Sequence, residues 1–122
     1  MKRRILLVDD DPTLAGIASE ILELAGHDVR VHGSPFGTTA ILGEYQPHVV
    51  LLDVNMPALS GDHLVPLLRA ARHGGKSRIV FFSSNDEATL RASVAQTGAD
   101  GFIRKGDIDR LDVHVQPFLG SP

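Results

Sequence analysis

The sequence predicts an α/β domain in which five strands and five helices alternate, (βα)5, around an open, doubly wound parallel sheet. Two observations lead to this fold class. Five short apolar runs of strand length recur along the chain, and segments with helical spacing separate them. Two runs, 49–52 and 79–82, are continuously apolar, which is typical of strands that helices cover on both faces of a parallel sheet. The five runs lie at residues 5–8, 28–32, 48–53, 78–84 and 100–105.

The first helix has the clearest boundaries. Asp11 is a typical N-cap residue, and Pro12 follows at the favoured first helical position. Gly26 supplies a stop at the other end. The apolar residues between these signals follow helical spacing: Leu14, Ile17, Ala18, Ile21, Leu22 and Ala25.

The other helices carry weaker signals. The second and fourth, at 35–45 and 86–97, follow mainly from their position between strands. The apolar positions of the third are Leu64, Leu67, Leu68 and Ala71, before Gly74-Gly75, and those of the fifth are Ile108, Leu111, Val115 and Phe118. Since proline lacks a backbone donor, Pro66 predicts a late start or a kink in the third helix, and Pro117 predicts fraying after Gln116.

Length and composition indicate one globular domain over residues 1–122, enough chain for a single core. The absence of cysteine excludes disulfides, thiolate metal sites and a cysteine nucleophile, and a reducing cytoplasm is the expected location. No apolar run approaches the roughly 20 residues that span a bilayer. A net charge of −3 without a basic cluster gives no electrostatic surface for nucleic acid. We therefore expect neither a membrane nor a nucleic acid as a partner.

Polar residues stand at the carboxyl ends of four of the five strand-like runs. They are Asp9, Asp10 and Asp11 after the first strand, Asp53 after the third, Ser83 and Ser84 after the fourth, and Lys105 after the fifth. Ligands of open parallel sheets bind beyond the carboxyl ends of the strands, so these groups should meet at one edge. Crowded carboxylates repel by ~1–4 kcal/mol per pair, and a divalent cation such as Mg²⁺ reverses that cost. A carboxylate beside the cation can attack phosphorus, while a lysine and a hydroxyl bind phosphoryl oxygens.

Each of these residues has a simpler interpretation when it is taken alone. Asp11 suits a helix cap, Asp53 a turn, Ser83 a satisfied hydroxyl at a strand end, and Lys105 a solvated surface position. The combination, with each residue at the same end of its own strand, favours a site. The histidines show no metal-ligand spacing and are interpreted as surface or half-buried residues: His27, His32, His48, His63, His73 and His114.

Four motifs, in this order and at this spacing, resemble the receiver domain of two-component response regulators over essentially the whole chain. They are ILLVDDDP (5–12), VVLLDVNMPALSG (49–61), IVFFSSN (79–85) and GADGFIRK (98–105). The most specific piece is LLDVNMP with the following Gly61. The resemblance implies a flavodoxin-like fold with strand order 2-1-3-4-5. It also implies a phosphoacceptor signalling domain, which is not an enzyme beyond promoting its own phosphorylation and dephosphorylation.

The same resemblance assigns the site residues. Asp53 would accept a phosphoryl group from a phosphohistidine on a histidine kinase or a histidine phosphotransfer protein. Mg²⁺ or Mn²⁺ would bind Asp10, Asp53 and the backbone carbonyl of Asn55, with Asp9 acting through water. The residues that would bind the phosphoryl oxygens are Ser83, Ser84 and Lys105.

The resemblance further implies a switch. The Ser83 hydroxyl moves toward the new phosphate, and Phe102 turns inward to fill the vacated space. This repacks the surface of the fourth helix, fifth strand and fifth helix, where a protein output partner or an attached output domain docks, and where a phosphorylation-linked homodimer would form.

Two residues depart from the family pattern. Gly106 follows Lys105 where the family usually has a proline in a cis peptide. Because a non-proline cis bond costs ~2.5–4 kcal/mol, we predict a trans bond or a more mobile loop. Ser84 is larger than the alanine or glycine often found there and would narrow the access to Asp53.

Two other functions remain as alternatives. DDDPTL also fits the nucleophile motif of haloacid-dehalogenase-like phosphatases, with Asp9 as nucleophile, Asp11 as general acid and GDIDRLD as an acidic fourth motif. Those enzymes place a strand between the lysine and the acidic motif, whereas Lys105 and Gly106 are adjacent here. The second alternative is a receiver-like interaction module that signals without phosphorylation. Such relatives usually lose an acidic residue or the lysine, and none is missing here.

Overall fold

Strands and helices alternate along the chain as predicted. The computed structural model describes residues 2–71 and 76–120. The strands are β1 (Arg4–Val8), β2 (Asp28–His32), β3 (Val49–Leu52), β4 (Arg78–Ser83) and β5 (Gly101–Arg104). The helices are α1 (Pro12–Leu24), α2 (Thr38–Tyr45), α3 (Gly61–Ala70), α4 (Glu87–Thr97) and α5 (Leu111–His114). Within these residues, no helix combines the length and apolar character that a membrane span requires.

The five strands form one parallel sheet in the order β2-β1-β3-β4-β5, which confirms the predicted strand order. β1 and β3 lie in the interior of the sheet, and their apolar residues are fully buried. Because the strands are parallel, all their carboxyl ends lie along one edge. The residues that follow the strands therefore meet at that edge, as the sequence predicts.

The core has two layers, one on each face of the sheet. Leu6 and Val8 of β1 face a layer that contains residues of α2, α3 and α4. Ile5 and Leu7, which alternate with them, face a layer formed with α1 and α5. Side chains of a strand alternate between the two faces, so a continuously apolar strand serves both layers.

The start of α1 is fixed by its N-cap, as predicted. The Asp11 Oδ1 atom accepts hydrogen bonds from the N–H groups of Thr13 (3.1 Å) and Leu14 (3.2 Å). Pro12 is the first helical residue. The helix ends at Leu24, and Gly26 follows with φ of 97°, a conformation in which glycine is favoured. The carboxylate of Asp11 therefore caps α1, although Asp11 belongs to the acidic run after β1.

The buried face of α1 differs from the predicted apolar face. Ala15, Ala18 and Leu22 are its buried residues. Ile17 follows the helical spacing but is 46% exposed, and Leu24 is also exposed. The apolar face of this helix is therefore wider than the sheet can cover.

α3 accommodates Pro66 inside the helix. It begins at Gly61, so the late start predicted as one response to this proline is wrong. Proline leaves the carbonyl of the preceding turn without its helical donor. The buried side chains of Leu64, Val65 and Leu68 hold the helix on the sheet despite that loss. The predicted stop at 74–75 lies outside the described residues.

The chain after β5 is less regular than predicted. A 3₁₀ helix covers Lys105–Arg110, α5 has only 4 residues, and a second 3₁₀ turn covers Gln116–Phe118. The predicted apolar positions Leu111 and Val115 are nevertheless fully buried. The α-helix ends at His114, before Pro117, which lies in the following 3₁₀ turn, where a proline near the start needs no helical N–H. The fraying after Gln116 stays a prediction.

Arginine side chains form hydrogen bonds along the amino-terminal edge of the sheet, opposite the predicted site. Three of them donate to backbone carbonyls at the ends of helical segments, where cationic groups are favoured. The pairs are Arg3 with Leu119, Arg4 with Tyr45 and Gln46, and Arg69 with Gly98. Arg69 also binds the Ser77 carbonyl (3.0 Å) and the Asp100 carboxylate (2.8 Å), so it joins α3 to the segments around β4 and β5.

Candidate functional site

Three carboxylates converge at the carboxyl edge of the sheet. Asp9 directly follows β1, where its N–H donates to the carbonyl of His32, and Asp53 directly follows β3, where its N–H donates to the carbonyl of Val8. Oxygen atoms of Asp9, Asp10 and Asp53 all lie within 4.8 Å of one another. Asp9 and Asp53 are buried, at 1% and 4% exposure, whereas Asp10 is exposed. The backbone hydrogen bonds of the sheet therefore extend to Asp9 and Asp53 and hold the backbone of these two residues in place.

The Lys105 ammonium group is the cation of this edge. Its Nζ atom lies 2.8 Å from Asp9 Oδ2 and 3.3 Å from Asp53 Oδ2. The other oxygen of Asp53, Oδ1, accepts the backbone N–H of Asn55 at 3.0 Å. Both oxygens of the Asp53 carboxylate are therefore held in place.

Burial and charge act in opposite directions on these groups. Burial raises the pKa of the Asp53 carboxyl above its ordinary value, against the opposing effects of the Asn55 N–H and of Lys105. Burial also disfavours the charged form of Lys105, but its contacts with Asp9 and Asp53 outweigh this effect and its pKa is raised. One ammonium group thus offsets part of the repulsion among three carboxylates.

The spacing of the three carboxylates fits a hard divalent cation. Mg²⁺ is held by oxygen atoms at about 2.0–2.1 Å, and it commonly uses one or two carboxylates together with waters and phosphate oxygens. Two oxygens bound to one Mg²⁺ are at most about 4.2 Å apart, so carboxylate oxygens within 4.8 Å of one another need only small side-chain movements to share such an ion. The exposed position of Asp10 leaves the site open to solvent on one side. This acidic group could therefore hold a metal ion.

Asp11 is directed away from this acidic group. Its side chain caps α1, and its backbone N–H donates to Asp9 Oδ1 at 2.9 Å. Asp11 therefore contributes to the site through the orientation of Asp9.

A second group of polar residues lies beside the acidic one. The fully buried Ser83 ends β4, and its Oγ atom accepts the backbone N–H of Asn85 (3.2 Å) and the side-chain N–H of Asn55 (3.3 Å). The two asparagine side chains also bind each other, with 2.8 Å from Asn55 Nδ2 to Asn85 Oδ1. Ser84 is exposed in the turn that follows β4.

Sequence reasoning did not single out Asn85. The available signal was its position, two residues after the strand-terminal Ser83, as Asn55 stands two residues after the strand-terminal Asp53. An asparagine after a strand is ordinary in a loop, however, and its side-chain partner is 30 residues away in the chain.

The predicted switch residue Phe102 lies in the middle of β5 and is half-buried. Its ring packs against the core layer that contains residues of α2, α3 and α4, and the Arg91 guanidinium lies 5.8 Å from the ring centroid. Beside it runs an open groove of about 410 Å³. The groove is lined by Arg91, Val94, Ala95, Gly101, Phe102 and Phe118.

The bond between Lys105 and Gly106 is trans, since the described residues contain no cis peptide. This confirms the trans bond predicted from Gly106.

Four of the described histidines hydrogen-bond within the protein. His27 and His48 accept backbone N–H groups of the segment that leads into β1, and His63 contacts the hydroxyl of Ser60. His32 contacts the carbonyl of Phe36. The group of acidic residues that could hold a metal contains no histidine from the described residues, and His73 lies outside them.

Comparison with known proteins agrees with this fold. Residues 5–116 match the response regulator receiver domain family. The DNA-binding response regulator MtrA of Mycolicibacterium smegmatis is 31% identical over 105 residues, which cover 86% of this chain and 45% of that protein. The tetrathionate response regulatory protein TtrR of Salmonella typhimurium is 33% identical over 103 residues, 83% of this chain and 48% of that protein. The chain thus spans about half the length of these relatives.

A solved structure shows the same fold at lower identity. The chemotaxis protein CheY4 of Vibrio cholerae superposes with a TM-score of 0.88 at 22% identity, covering 98% of this chain and 100% of that chain. The five parallel strands and their order are those of a flavodoxin-like fold, in agreement with this structural similarity. On the family match and the sequence identity to the curated relatives, the chain belongs to the response regulator receiver domain family.

Proposed function

We propose that Asp53 accepts a phosphoryl group from a phosphohistidine, with a divalent cation held by the carboxylates at the same edge. The observation that carries this proposal is the geometry of the edge. Three carboxylates have oxygens within 4.8 Å of one another, and one ammonium group contacts both Asp9 and Asp53. The ammonium group offsets part of the negative charge of the carboxylates, and a bound divalent cation would offset more, as transfer of a phosphoryl group to a carboxylate requires.

We assign the nucleophile to Asp53, which stands in the LLDVNMP motif and directly follows β3. Its Oδ1 is oriented by the Asn55 N–H and its Oδ2 by Lys105. One of these oxygens attacks phosphorus, the P–N bond to the donor histidine breaks, and the electron pair of that bond stays on the imidazole nitrogen. The product is an acyl phosphate on Asp53, and hydrolysis by water later returns the carboxylate and inorganic phosphate.

Asp10, Asp53 and the backbone carbonyl of Asn55 would hold Mg²⁺ or Mn²⁺, with Asp9 acting through water. The bound ion supplies positive charge to phosphoryl oxygens during transfer. Lys105 pairs with a phosphoryl oxygen, and Ser83 donates its hydroxyl proton to another. Ser84 lies at the exposed rim, where it limits the access of the donor and contacts the transferred group.

The phosphorylated state acts on partners through a surface change. Ser83 moves toward the phosphate, and Phe102 turns into the space that this movement leaves. The groove beside Phe102 changes shape, and an output partner or attached output domain binds the altered surface of α4, β5 and α5. A phosphorylation-linked homodimer through the same surface is part of this proposal. The donor is a histidine kinase or a histidine phosphotransfer protein in the cytoplasm.

The geometry argues against Asp9 as the nucleophile of a phosphatase. Asp9 and Asp53 are both buried and both contact Lys105 and a backbone N–H, so the two schemes differ in the general acid. In that scheme Asp11 is the general acid, but its side chain caps α1. The second alternative, signalling without phosphorylation, gives a distinct result in the following experiment.

The test is incubation of the protein with acetyl phosphate and MgCl₂, followed by mass spectrometry that maps the labile phosphoryl group. We expect label on Asp53 that disappears in Asp53→Asn. Asp11→Asn is the matched control, since asparagine also caps helices, and it should be labelled as the wild type is. Label on Asp9 would establish the phosphatase alternative. A protein that takes up no label would be an interaction module that does not use phosphorylation.

A further inference from the structure

β2 is an edge strand that, among the described residues, has a strand partner on one side only. In a strand, the backbone groups of successive residues point alternately to the two sides. The Asp28 N–H donates to the Arg3 carbonyl, so Asp28 and Arg30 use their backbone groups on the β1 side. The N–H and C=O groups of Val29 and Val31 therefore point outward, to the open side of the sheet.

This edge strand lacks the features that commonly keep such strands from pairing with other chains, which include a bulge, a proline or a charge directed over the edge. The DVRVH sequence of β2 contains no proline, and its register with β1 is continuous along the strand. Its central charge is drawn back onto its own domain, because the Arg30 guanidinium lies 4.4 Å from the Tyr45 ring centroid and 3.9 Å from the Glu44 carboxylate. Val31, the next residue, is 44% exposed. The outward side of β2 is therefore available to a further strand.

The DVRVH sequence is self-complementary for antiparallel pairing about Arg30. A two-fold axis beside Arg30 places Val29 of one copy opposite Val31 of a second copy. Since both valines have outward backbone groups, each such pair exchanges two N–H···O hydrogen bonds. These valines are in register with Ile5 and Leu7 of β1, so the valines of both copies lie on the sheet face of the α1 layer. The register thus continues both the backbone bonding and the apolar face of the sheet.

The charged residues of β2 fit the same register on the other face of the sheet. Asp28 stands opposite His32 of the second copy, so no two carboxylates of the paired strands face each other directly. The two Arg30 side chains meet at the axis, which by itself is repulsive. Each of them, however, has Glu44 of its own copy and Asp28 of the second copy within reach of its long side chain. The pairing therefore surrounds each guanidinium group with two carboxylates, which offsets the repulsion.

We propose that two copies of this chain associate through their β2 strands, antiparallel and centred on Arg30, to form one continuous sheet. The strand supplies its own complement in backbone groups, apolar residues and charge, so the partner is a second copy. None of these groups belongs to the acidic group at the carboxyl edge, and the pairing therefore requires no phosphoryl group and is independent of the proposed function. Because β5 is the edge strand on the opposite side, the surface of α4, β5 and α5 stays accessible in this dimer.

Sedimentation velocity of the unphosphorylated protein without Mg²⁺, at concentrations up to roughly 1 mM, should show a monomer–dimer equilibrium. Val31→Lys should raise the dissociation constant of the dimer at least roughly tenfold, since lysine in an edge strand opposes pairing. Val113→Lys is the matched control, because Val113 of α5 is 43% exposed against 44% for Val31, and it should leave the dissociation constant unchanged. Circular dichroism establishes that each variant is folded.

The chain has no cysteine, so single cysteines can test the register. Arg30→Cys places two thiols opposite each other at the axis, where the Cα atoms of a non-hydrogen-bonded pair are about 4.5 Å apart and a disulfide can form. The two copies of Asp28→Cys would have Cα atoms about 14 Å apart in the same register. Oxidation with diamide should therefore cross-link Arg30→Cys and leave Asp28→Cys monomeric on a non-reducing gel.

Three results would overturn the β2 pairing. The first is a wild-type protein that stays monomeric at every concentration. The second is a dimer that Val31→Lys leaves intact or that Val113→Lys abolishes, since either places the interface elsewhere. The third is cross-linking of Asp28→Cys as fast as that of Arg30→Cys, which would exclude the Arg30-centred register.

Discussion

Gly61 shows how closely the loop after β3 packs against α3. A Cβ atom added at this position would lie 2.5 Å from the Asp53 carbonyl oxygen and 3.0 Å from the Val54 Cα atom. The Gly61 N–H also donates to the Val54 carbonyl at 3.0 Å. The absence of a side chain therefore allows the first turn of α3 to lie against the backbone of the candidate acceptor.

We expect Gly61→Ala to destabilise the domain by about 1–3 kcal/mol, because backbone atoms beside Asp53 must shift to admit the methyl group. Gly16→Ala is the matched control. Gly16 lies inside α1 with nothing within 4 Å of its added Cβ, so alanine there should stabilise the domain by about 0.5–1 kcal/mol. The free energy of unfolding in urea measures both changes. A Gly61→Ala variant as stable as the wild type would contradict the packing described here.

The acidic residues and the asparagines differ in how far sequence could place them. Asp9, Asp53 and Lys105 each directly follow a recognisable strand, and parallel strands end at one edge, so their proximity was predictable. The side-chain contact between Asn55 and Asn85 depends on the path of two loops, which strand patterns do not specify. For the same reason, Asp11 could be assigned to a cap from the following proline, while its N–H contact with Asp9 could not be foreseen.

The start of β1 illustrates how elements are joined at the amino-terminal edge. His27 directly precedes β2 and His48 directly precedes β3. The Arg3 N–H donates to His27 Nδ1 at 3.3 Å, and the Arg4 N–H donates to His48 Nδ1 at 3.0 Å. Each acceptor nitrogen must be unprotonated, so both bonds require neutral imidazoles.

Stability should therefore fall as the solution becomes mildly acidic. Burial, together with the charge of Arg3, lowers the pKa of His27 below its ordinary value of 6.5, and burial with Arg4 lowers that of His48. The unfolded chain then binds more protons than the native protein between the native pKa values and 6.5. Stability consequently rises with pH across that window and is lost as the pH falls through it.

Thermal unfolding at pH values from 7.5 to 5.5 measures this dependence, since most carboxylates titrate below that range. The His27→Gln/His48→Gln double variant should show a flatter dependence. His114→Gln changes an exposed histidine in α5, and this variant should keep the pH dependence of the wild type. An unchanged slope in the double variant would show that other groups control this pH range.

Elements with several independent signals were predicted well, and those with one signal were not. α1 has a cap, a proline and a glycine stop, and its limits agree with the prediction. The fifth helix was inferred from the spacing of apolar residues such as Leu111 and Val115, which are buried as expected. Most of that segment is nevertheless 3₁₀ helix. A few apolar side chains can be buried by either an α-helix or a 3₁₀ helix, so their spacing does not distinguish the two. α2 begins at Thr38 rather than at residue 35, since nothing in its pattern marks a start.

For the domain as a whole, the three carboxylates at one edge predict that Mg²⁺ stabilises the folded protein. A ligand that binds only the native state at ten times its Kd adds about 1.4 kcal/mol to the free energy of unfolding. Asp10→Asn should remove most of this gain. It should also stabilise the metal-free protein slightly, because one of three neighbouring like charges is lost.

Thermal unfolding with and without MgCl₂ measures both effects. Glu20→Gln removes an exposed charge from α1 and is the control for a general effect of charge. An equal Mg²⁺ stabilisation in Asp10→Asn and the wild type would contradict the assignment of Asp10 as a ligand.

Lys105 links the carboxylates at the carboxyl edge of the sheet to the segment that leads into α5. The residue whose ammonium spans Asp9 and Asp53 is also the first of the 3₁₀ helix that leads into α5. This segment leads through a kink at Asp107 to Leu111 and Val115, which are buried in the same core layer as residues of α1. We therefore expect that the proposed phosphorylation of Asp53, by drawing Lys105 to the new phosphoryl group, shifts the segment that leads to α5 and its packing beside α1.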